Sequence, residues 1–241
     1  MSLGCGGIAW AQPRSDVFPP VTIDQPFVVN TFEASIRVVP VAIGLANPFD
    51  MAFRNNGDIL VTERFTGNLR VIRNGSLLEE SIRGVPQVYS ETWRQGLMAV
   101  ELHPEDDRIV YMTYTKAIVA DGEPEQTVAL IRARIVENEL TQVEEIFQAE
   151  GLDRGIAASQ LLFTPNNKLM MSIGGAYMYA GIGDYAQDPT IHYGKLLRLN
   201  DDGSVPSDNP FVSTGEYLPE VYSVGHRNQI GLAFHPTTDQ L

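Results

Sequence analysis

Four times along the chain, an apolar run ending in Phe or Leu is followed by a short polar turn, and in the first three copies a second apolar run follows. The first copy is Phe49-Asp50-Met51-Ala52-Phe53, the turn Arg54 to Asp58, and Ile59-Leu60-Val61-Thr62. The second is Leu97 to Leu102, the turn His103 to Arg108, and Ile109-Val110-Tyr111-Met112. The third is Gln160-Leu161-Leu162-Phe163, the turn Thr164 to Lys168, and Leu169-Met170-Met171-Ser172. The fourth opens with Gly231-Leu232-Ala233-Phe234 and the turn His235 to Gln240, and the chain ends at Leu241. Short apolar runs bounded by Gly, Asn and Pro turns mark antiparallel hairpins. The anchors Phe53, Leu102, Phe163 and Phe234 are 49, 61 and 71 positions apart, which leaves room for further strands. Leu69-Arg70-Val71-Ile72 before Asn74-Gly75, Val128 to Val136, and Leu196 to Leu199 are such strands. No window sustains a helical period.

A repeat of this length holding several strands is a propeller blade, whose small sheet buries its faces against neighbouring blades. The pattern predicts an all-β fold, an incomplete β-propeller with about four blade starts, over residues 35–241. An irregular solenoid is the alternative. Residues 12–34, rich in Pro and polar residues, read as an arm. Leu241 falls where Ile59 and Leu169 open the second strand of their hairpins, so the chain is expected to be a truncated product or an incomplete reading frame.

Composition sharpens this picture. With 241 residues and 44% hydrophobic content, the chain can bury a large core. Its 21 Gly and 15 Pro are spread along it, which favours many short elements. The net charge of −13 and the lack of any Lys/Arg cluster argue against nucleic acid and anionic membrane surfaces as partners. No apolar run approaches the roughly 18 residues of a spanning helix. Cys5 is the single cysteine, so an intrachain disulfide is excluded. Residues 1–11 end in the small-x-small pattern of Ala9 and Ala11 and read as the tail of a signal peptide. Export to a periplasm or the extracellular space is the expectation, and the lack of disulfides suits a bacterial periplasm best.

Few motifs carry chemistry by themselves. There is no nucleophile elbow and no phosphate loop. The histidines His103, His192, His226 and His235 lack the local spacings of a metal pair. His103 and His235 each precede Pro in equivalent turns, and a turn role is expected. The glycine-rich run Gly174 to Asp184 follows a strand but opens no helix, so it reads as a loop on the propeller face and not as a dinucleotide site. Asn200-Asp201-Asp202-Gly203, with Asp208 and Asn209, offers oxygen ligands, but a calcium loop needs a longer series; a tight Asp-Gly turn is expected. No residue is assigned as a metal ligand.

The most specific stretch runs from His192-Tyr193-Gly194-Lys195-Leu196-Leu197-Arg198-Leu199 through Asp208-Asn209-Pro210-Phe211 to Gly225-His226-Arg227-Asn228. It closely resembles the soluble quinoprotein sugar dehydrogenases, the glucose/sorbosone dehydrogenase family. Asn47-Pro48-Phe49, Thr62-Glu63-Arg64 and Leu102-His103-Pro104 agree. The resemblance implies a six-bladed propeller using pyrroloquinoline quinone (PQQ) with calcium and acting on small sugars. It implies that Arg227 and Asn228 face the cofactor; a guanidinium suits a quinone oxygen or carboxylate.

The departures bear on catalysis. The family places a His-x-Gly-x-Arg segment before the strand matching Leu161-Leu162-Phe163, and its histidine takes the sugar hydroxyl proton. This chain has Ile156 in place of that histidine and Gln160 in place of the arginine. It has Gly175 in place of the aspartate supporting the histidine. Losing a general base costs about 10²–10⁴ in rate. The expectation is a degenerate active site, with Asp184 as the nearest substitute base. A non-enzymatic propeller binding carbohydrate or protein is the alternative, and open blade edges predict self-association.

Overall fold

The computed structural model describes residues 24–90, 95–120, 123–150, 158–175, 185–238 and 240–241. Cys5, the segment 1–11, Ile156 and the loop residues from Ala176 to Asp184 therefore lie outside the described residues.

The named elements are all strands. β1 (Phe27–Asn30) and β2 (Ser35–Val38) form an exposed hairpin. It crosses the point between residues 34 and 35 where the sequence suggested that the arm ends. Three four-stranded antiparallel sheets follow. The first holds β3 (Pro48–Phe53), β4 (Ile59–Glu63), β5 (Leu69–Arg73) and β6 (Ser76–Leu77). The second holds β7 (Leu97–His103), β8 (Asp106–Ala120), β9 (Glu123–Val136) and β10 (Glu139–Gln148). The third holds β11 (Ser159–Phe163), β12 (Leu169–Ile173), β13 (Lys195–Leu199) and β14 (Val221–Ser223). Each is a meander in chain order, as expected of a propeller blade. The first strands stand side by side, β3 next to β7 and β7 next to β11.

Turn chemistry explains the hairpins. In Arg54–Asp58 and Thr164–Lys168 the first residue's N–H donates to the fifth carbonyl, at 2.9 and 2.8 Å. The fourth residue takes a positive φ, 88° at Gly57 and 57° at Asn167, as a bulged turn of this length requires. Asn200–Ser204 closes the same way at 2.8 Å, so this acidic stretch is the expected tight turn. His103 and His235 also act alike: each Nδ1 accepts the N–H two residues on, from Glu105 at 3.2 Å and Thr237 at 3.4 Å.

Two apolar clusters lie between the sheets. Leu60, Leu69, Val100, Val110, Met112 and Ile131 pack the first sheet on the second. Met98, Tyr111, Leu130, Leu161, Met171 and Leu197 pack the second on the third. Each fully buried Leu or Met contributes roughly 2 kcal/mol of transfer free energy.

Two details differ from the sequence pattern. The turn of the second blade is shorter than expected: Asp106 to Arg108 already belong to β8, which pairs with β9 along a long hairpin. Gly231 to Phe234 form no strand, although the pattern marked them as the fourth blade start. No second strand lies beside them among the described residues, and a lone strand leaves its ladder groups unpaired.

Candidate functional site

The expected site residues meet where β12 ends. Beyond Ile173, the Gly174 N–H donates to the Ala158 carbonyl at 2.8 Å and the Gly175 N–H to the Arg227 carbonyl at 2.7 Å. Asn228 lies against Gly174, its Oδ1 filling the space that a Cβ on residue 174 would need. Gly175 is less crowded: a Cβ there would meet Gly194 N at 3.3 Å and Arg227 O at 3.5 Å, a tight fit that needs the backbone to give by a few tenths of an ångström. Arg227 and Asn228 are both exposed. The structure thus brings Gly174, Gly175, Arg227 and Asn228 together.

Neighbouring segments hold this corner in place. The Gly225 N–H donates to the Ala186 carbonyl at 3.0 Å, and Ser223 Oγ lies 2.8 Å from His226 Nε2. Lys195 is fully buried and donates from Nζ to the carbonyls of Tyr185 at 2.7 Å and Tyr193 at 3.2 Å. Burial pulls its ammonium down to about 8. His192, also buried, accepts the Glu150 N–H on Nδ1 at 2.8 Å, which leaves Nε2 facing Glu220 at 3.5 Å. The imidazole beside Glu220 lowers that carboxyl's pKa.

The Thr62-Glu63-Arg64 segment closes β4 and runs one residue beyond it. Buried Glu63 is structural: it accepts the Ala46 N–H at 2.8 Å and pairs with Arg70 at 3.1 Å. The Arg64 guanidinium stacks 4.6 Å from the centre of the Phe49 ring and donates from Nε to the Gln95 carbonyl at 3.2 Å. Burial lowers it to about 10, so it stays charged at neutral pH.

Gln160, expected from the resemblance to stand in the family's arginine position, is hydrogen-bonded to Asp50. Its Nε2 donates to Asp50 Oδ2 at 2.9 Å, and the same oxygen accepts the Val100 N–H at 3.0 Å. Sequence reasoning missed Asp50 and its neighbour Glu101. Their signal was a carboxylate inside an apolar run, in Phe49-Asp50-Met51 and in Val100-Glu101-Leu102. Burial raises both, Glu101 to about 7 with the Asp50 charge adding to the effect.

A repeated hydroxyl was missed as well. Thr62 accepts the Asp50 N–H at 3.1 Å, Thr113 the Ala99 N–H at 3.1 Å, and Ser172 the Gln160 N–H at 2.9 Å. All three are buried in the second strand of their sheet. Thr62 Oγ1 also donates to the Met98 carbonyl at 2.7 Å, and Ser172 Oγ to the Gln229 carbonyl at 3.1 Å. The last bond places residue 229 beside the third sheet much as Met98 sits beside the first.

The oxygen-rich stretch after β13 is used internally. Asp202 Oδ1 accepts from Ser204 N at 2.9 Å, Asp208 pairs with Arg198 at 2.8 and 3.1 Å, and Asn209 donates to the Arg198 and Pro219 carbonyls. It does not fit calcium. Among the described residues no three His, Cys, Asp or Glu side chains converge on a metal position.

Comparison with known proteins agrees with this architecture. The family described as "Glucose / Sorbosone dehydrogenase" matches residues 45–241. An uncharacterized protein of Synechocystis sp. is 37% identical over 231 residues, 89% of this chain and 55% of that protein. Quinoprotein glucose dehydrogenase B of Acinetobacter calcoaceticus is 30% identical over 221 residues, 80% of this chain and 44% of that protein. A crystal structure of a glucose dehydrogenase superposes with a TM-score of 0.71 at 33% identity, over 81% of this chain and 56% of the other. The chain spans about half the length of the relatives it matches. With its three meander sheets and the match over residues 45–241, the chain belongs to the glucose/sorbosone dehydrogenase family.

Proposed function

We propose that this chain carries part of a quinoprotein sugar-oxidising site, with Arg227 and Asn228 as its cofactor-facing residues, and that it does not turn over sugar. The observation that supports this reading is the packing of Asn228 onto Gly174 beside the Gly175-to-Arg227 hydrogen bond of 2.7 Å. Both residues are exposed at this corner, and a guanidinium and an amide are the kinds of group that suit an anionic quinone such as PQQ. PQQ, when bound, supplies the acceptor for the hydride of the sugar C1–H. Arg227 would hold its negative charge in place, and Asn228 would orient it.

At the positions matching the family's base and its support, this chain supplies no proton acceptor. Ile156 has no basic atom, and Gly175 has no carboxylate. Gln160 is neutral, with its amide donated to Asp50. That commitment also favours the second reading, a propeller that binds carbohydrate without oxidising it. The small-x-small pattern of Ala9 and Ala11 supports export from the cytoplasm in either case. No described helix is long and apolar enough to cross a membrane.

Two measurements test the reading. Calorimetric titration with PQQ should show binding that weakens at least about tenfold in Arg227→Ala; equal affinities for the two proteins overturn the cofactor role. A dye-reduction assay with PQQ, calcium and glucose, other aldoses or sorbosone should show no turnover. Turnover abolished by Asp184→Asn would refute inactivity and identify the replacement base. Sugar binding without PQQ, and no PQQ binding, would favour the second reading.

A further inference from the structure

Lys195 opens β13, opposite Ile173 in the ladder with β12, and its side chain is fully buried. A lysine is almost never buried to this degree without a carboxylate beside it. Here both hydrogen bonds of Nζ go to backbone carbonyls, Tyr185 at 2.7 Å and Tyr193 at 3.2 Å. Asp188, the anion that acts on it, makes no hydrogen bond to it; its Oδ1 accepts the Thr190 N–H and hydroxyl instead. Desolvating a charge costs free energy, and a methionine would fill similar space without that cost. What the ammonium adds is placement: it ties residue 185 to the start of β13.

From residue 185 the contacts run on to the candidate site. The Ala186 carbonyl accepts the Gly225 N–H at 3.0 Å. Ala186 and the His226 carbonyl both close on Gly194, where a Cβ would lie 2.8 Å from Ala186 Cβ and 2.5 Å from His226 O. Gly194 sits at φ 71°, and its N–H donates to the Ile173 carbonyl at 2.8 Å. The stretch 225–228 is therefore held by one backbone bond near each end, Gly225 to Ala186 and Gly175 to Arg227. Lys195 fixes the partner of the first. Leu197 and Leu199 of the same strand pack between the second and third sheets, whereas Lys195 alone reaches from its end toward residue 185.

We infer that Lys195 is a positioning residue for the corner that carries Arg227 and Asn228: its ammonium fixes residues 185 and 186, and these fix Gly225 and the chain that follows. The consequence for a ligand rests on the cofactor-facing reading of Arg227 and Asn228 given above; the placement of residues 225–228 does not.

The test compares the full chain with Lys195→Met. Removing the ammonium leaves buried carbonyls unpaired, so amide hydrogen exchange at residues 225–228 should quicken about tenfold or more, while Met170 to Ser172 in β12 keep the parent rates. Calorimetric titration should show PQQ binding weakened about tenfold. Unchanged exchange at 225–228, or exchange that quickens equally in β12, overturns the positioning role and leaves Lys195 a packing residue. Faster local exchange with unchanged PQQ affinity overturns the consequence for the ligand. If the parent chain binds no PQQ, the reading of Arg227 and Asn228 fails, and the exchange rates alone decide the role of Lys195. Should Lys195→Met not fold, Gly194→Ala decides: it keeps the ammonium but drives a methyl group between Ala186 and the His226 carbonyl. The same local quickening is expected there, and unchanged exchange at 225–228 overturns the route.

Discussion

The two glycines after β12 are adjacent in sequence and opposite in tolerance. Gly174 has no room for a side chain because Asn228 Oδ1 occupies the space, whereas Gly175 meets its nearest atom at 3.3 Å. Gly174→Ala should therefore displace Asn228 and weaken PQQ binding about tenfold or more, while Gly175→Ala should bind within about twofold of the parent chain. Calorimetry on the two variants checks this, and an unchanged affinity in Gly174→Ala would show that Asn228 does not face the ligand. Under the proposed reading Gly175 stands where the family has an aspartate, and a Cβ there would sit tightly, 3.3 Å from Gly194 N.

At the scale of the element, the repeat is more than an alternation of apolar residues. Each first strand hands one N–H to a buried hydroxyl on its neighbour, at Thr62, Thr113 and Ser172. Removing such a hydroxyl strands a buried donor and, at Thr62 and Ser172, a carbonyl of the following segment. Thr62→Val and Ser172→Ala should each cost about 1–3 kcal/mol in denaturant melts. Ser172→Ala should also raise protease cleavage around residue 229, because its hydroxyl is what ties that carbonyl to the third sheet. A Ser172→Ala chain with parent stability would show that the bond contributes nothing.

At the scale of the whole molecule, the stability profile and the open faces set the behaviour. Guanidinium partners hold Asp58 and Asp208 below the usual carboxylate range, and His192 does the same for Glu220. A depressed carboxylate adds stability above its unfolded pKa and loses it as pH falls through the folded one. With Glu101 acting in the opposite sense at higher pH, melting temperature should peak near about pH 5 and decline on both sides. A profile rising steadily to pH 8 would contradict it. Met51 and Phe53 on the first sheet are 57% and 69% exposed, and Ile230 beyond the third is 69% exposed. Apolar faces of this kind seek a partner. Sedimentation velocity at neutral pH should show self-association that strengthens with salt, as screening weakens the repulsion of −13 charges. A monodisperse monomer at all salt concentrations would count against it.

The sequence by itself determined what is local. Alternating apolar runs and Asn, Gly and Pro turns specify strands and hairpins within a few residues, so β3, β7 and β11 and the turns after β3 and β11 are legible in the residues alone. So is the family, through Gly225-His226-Arg227-Asn228 and its companions. Tertiary structure alone decided what lies across blades. Asp50 and Gln160 are 110 residues apart, and no period in the chain announces that a carboxylate in one apolar run will accept the amide of another. Gly231 to Phe234 show the converse: the pattern of a strand is present, but a strand is a paired object, and the pairing needs a neighbour that the local sequence does not contain.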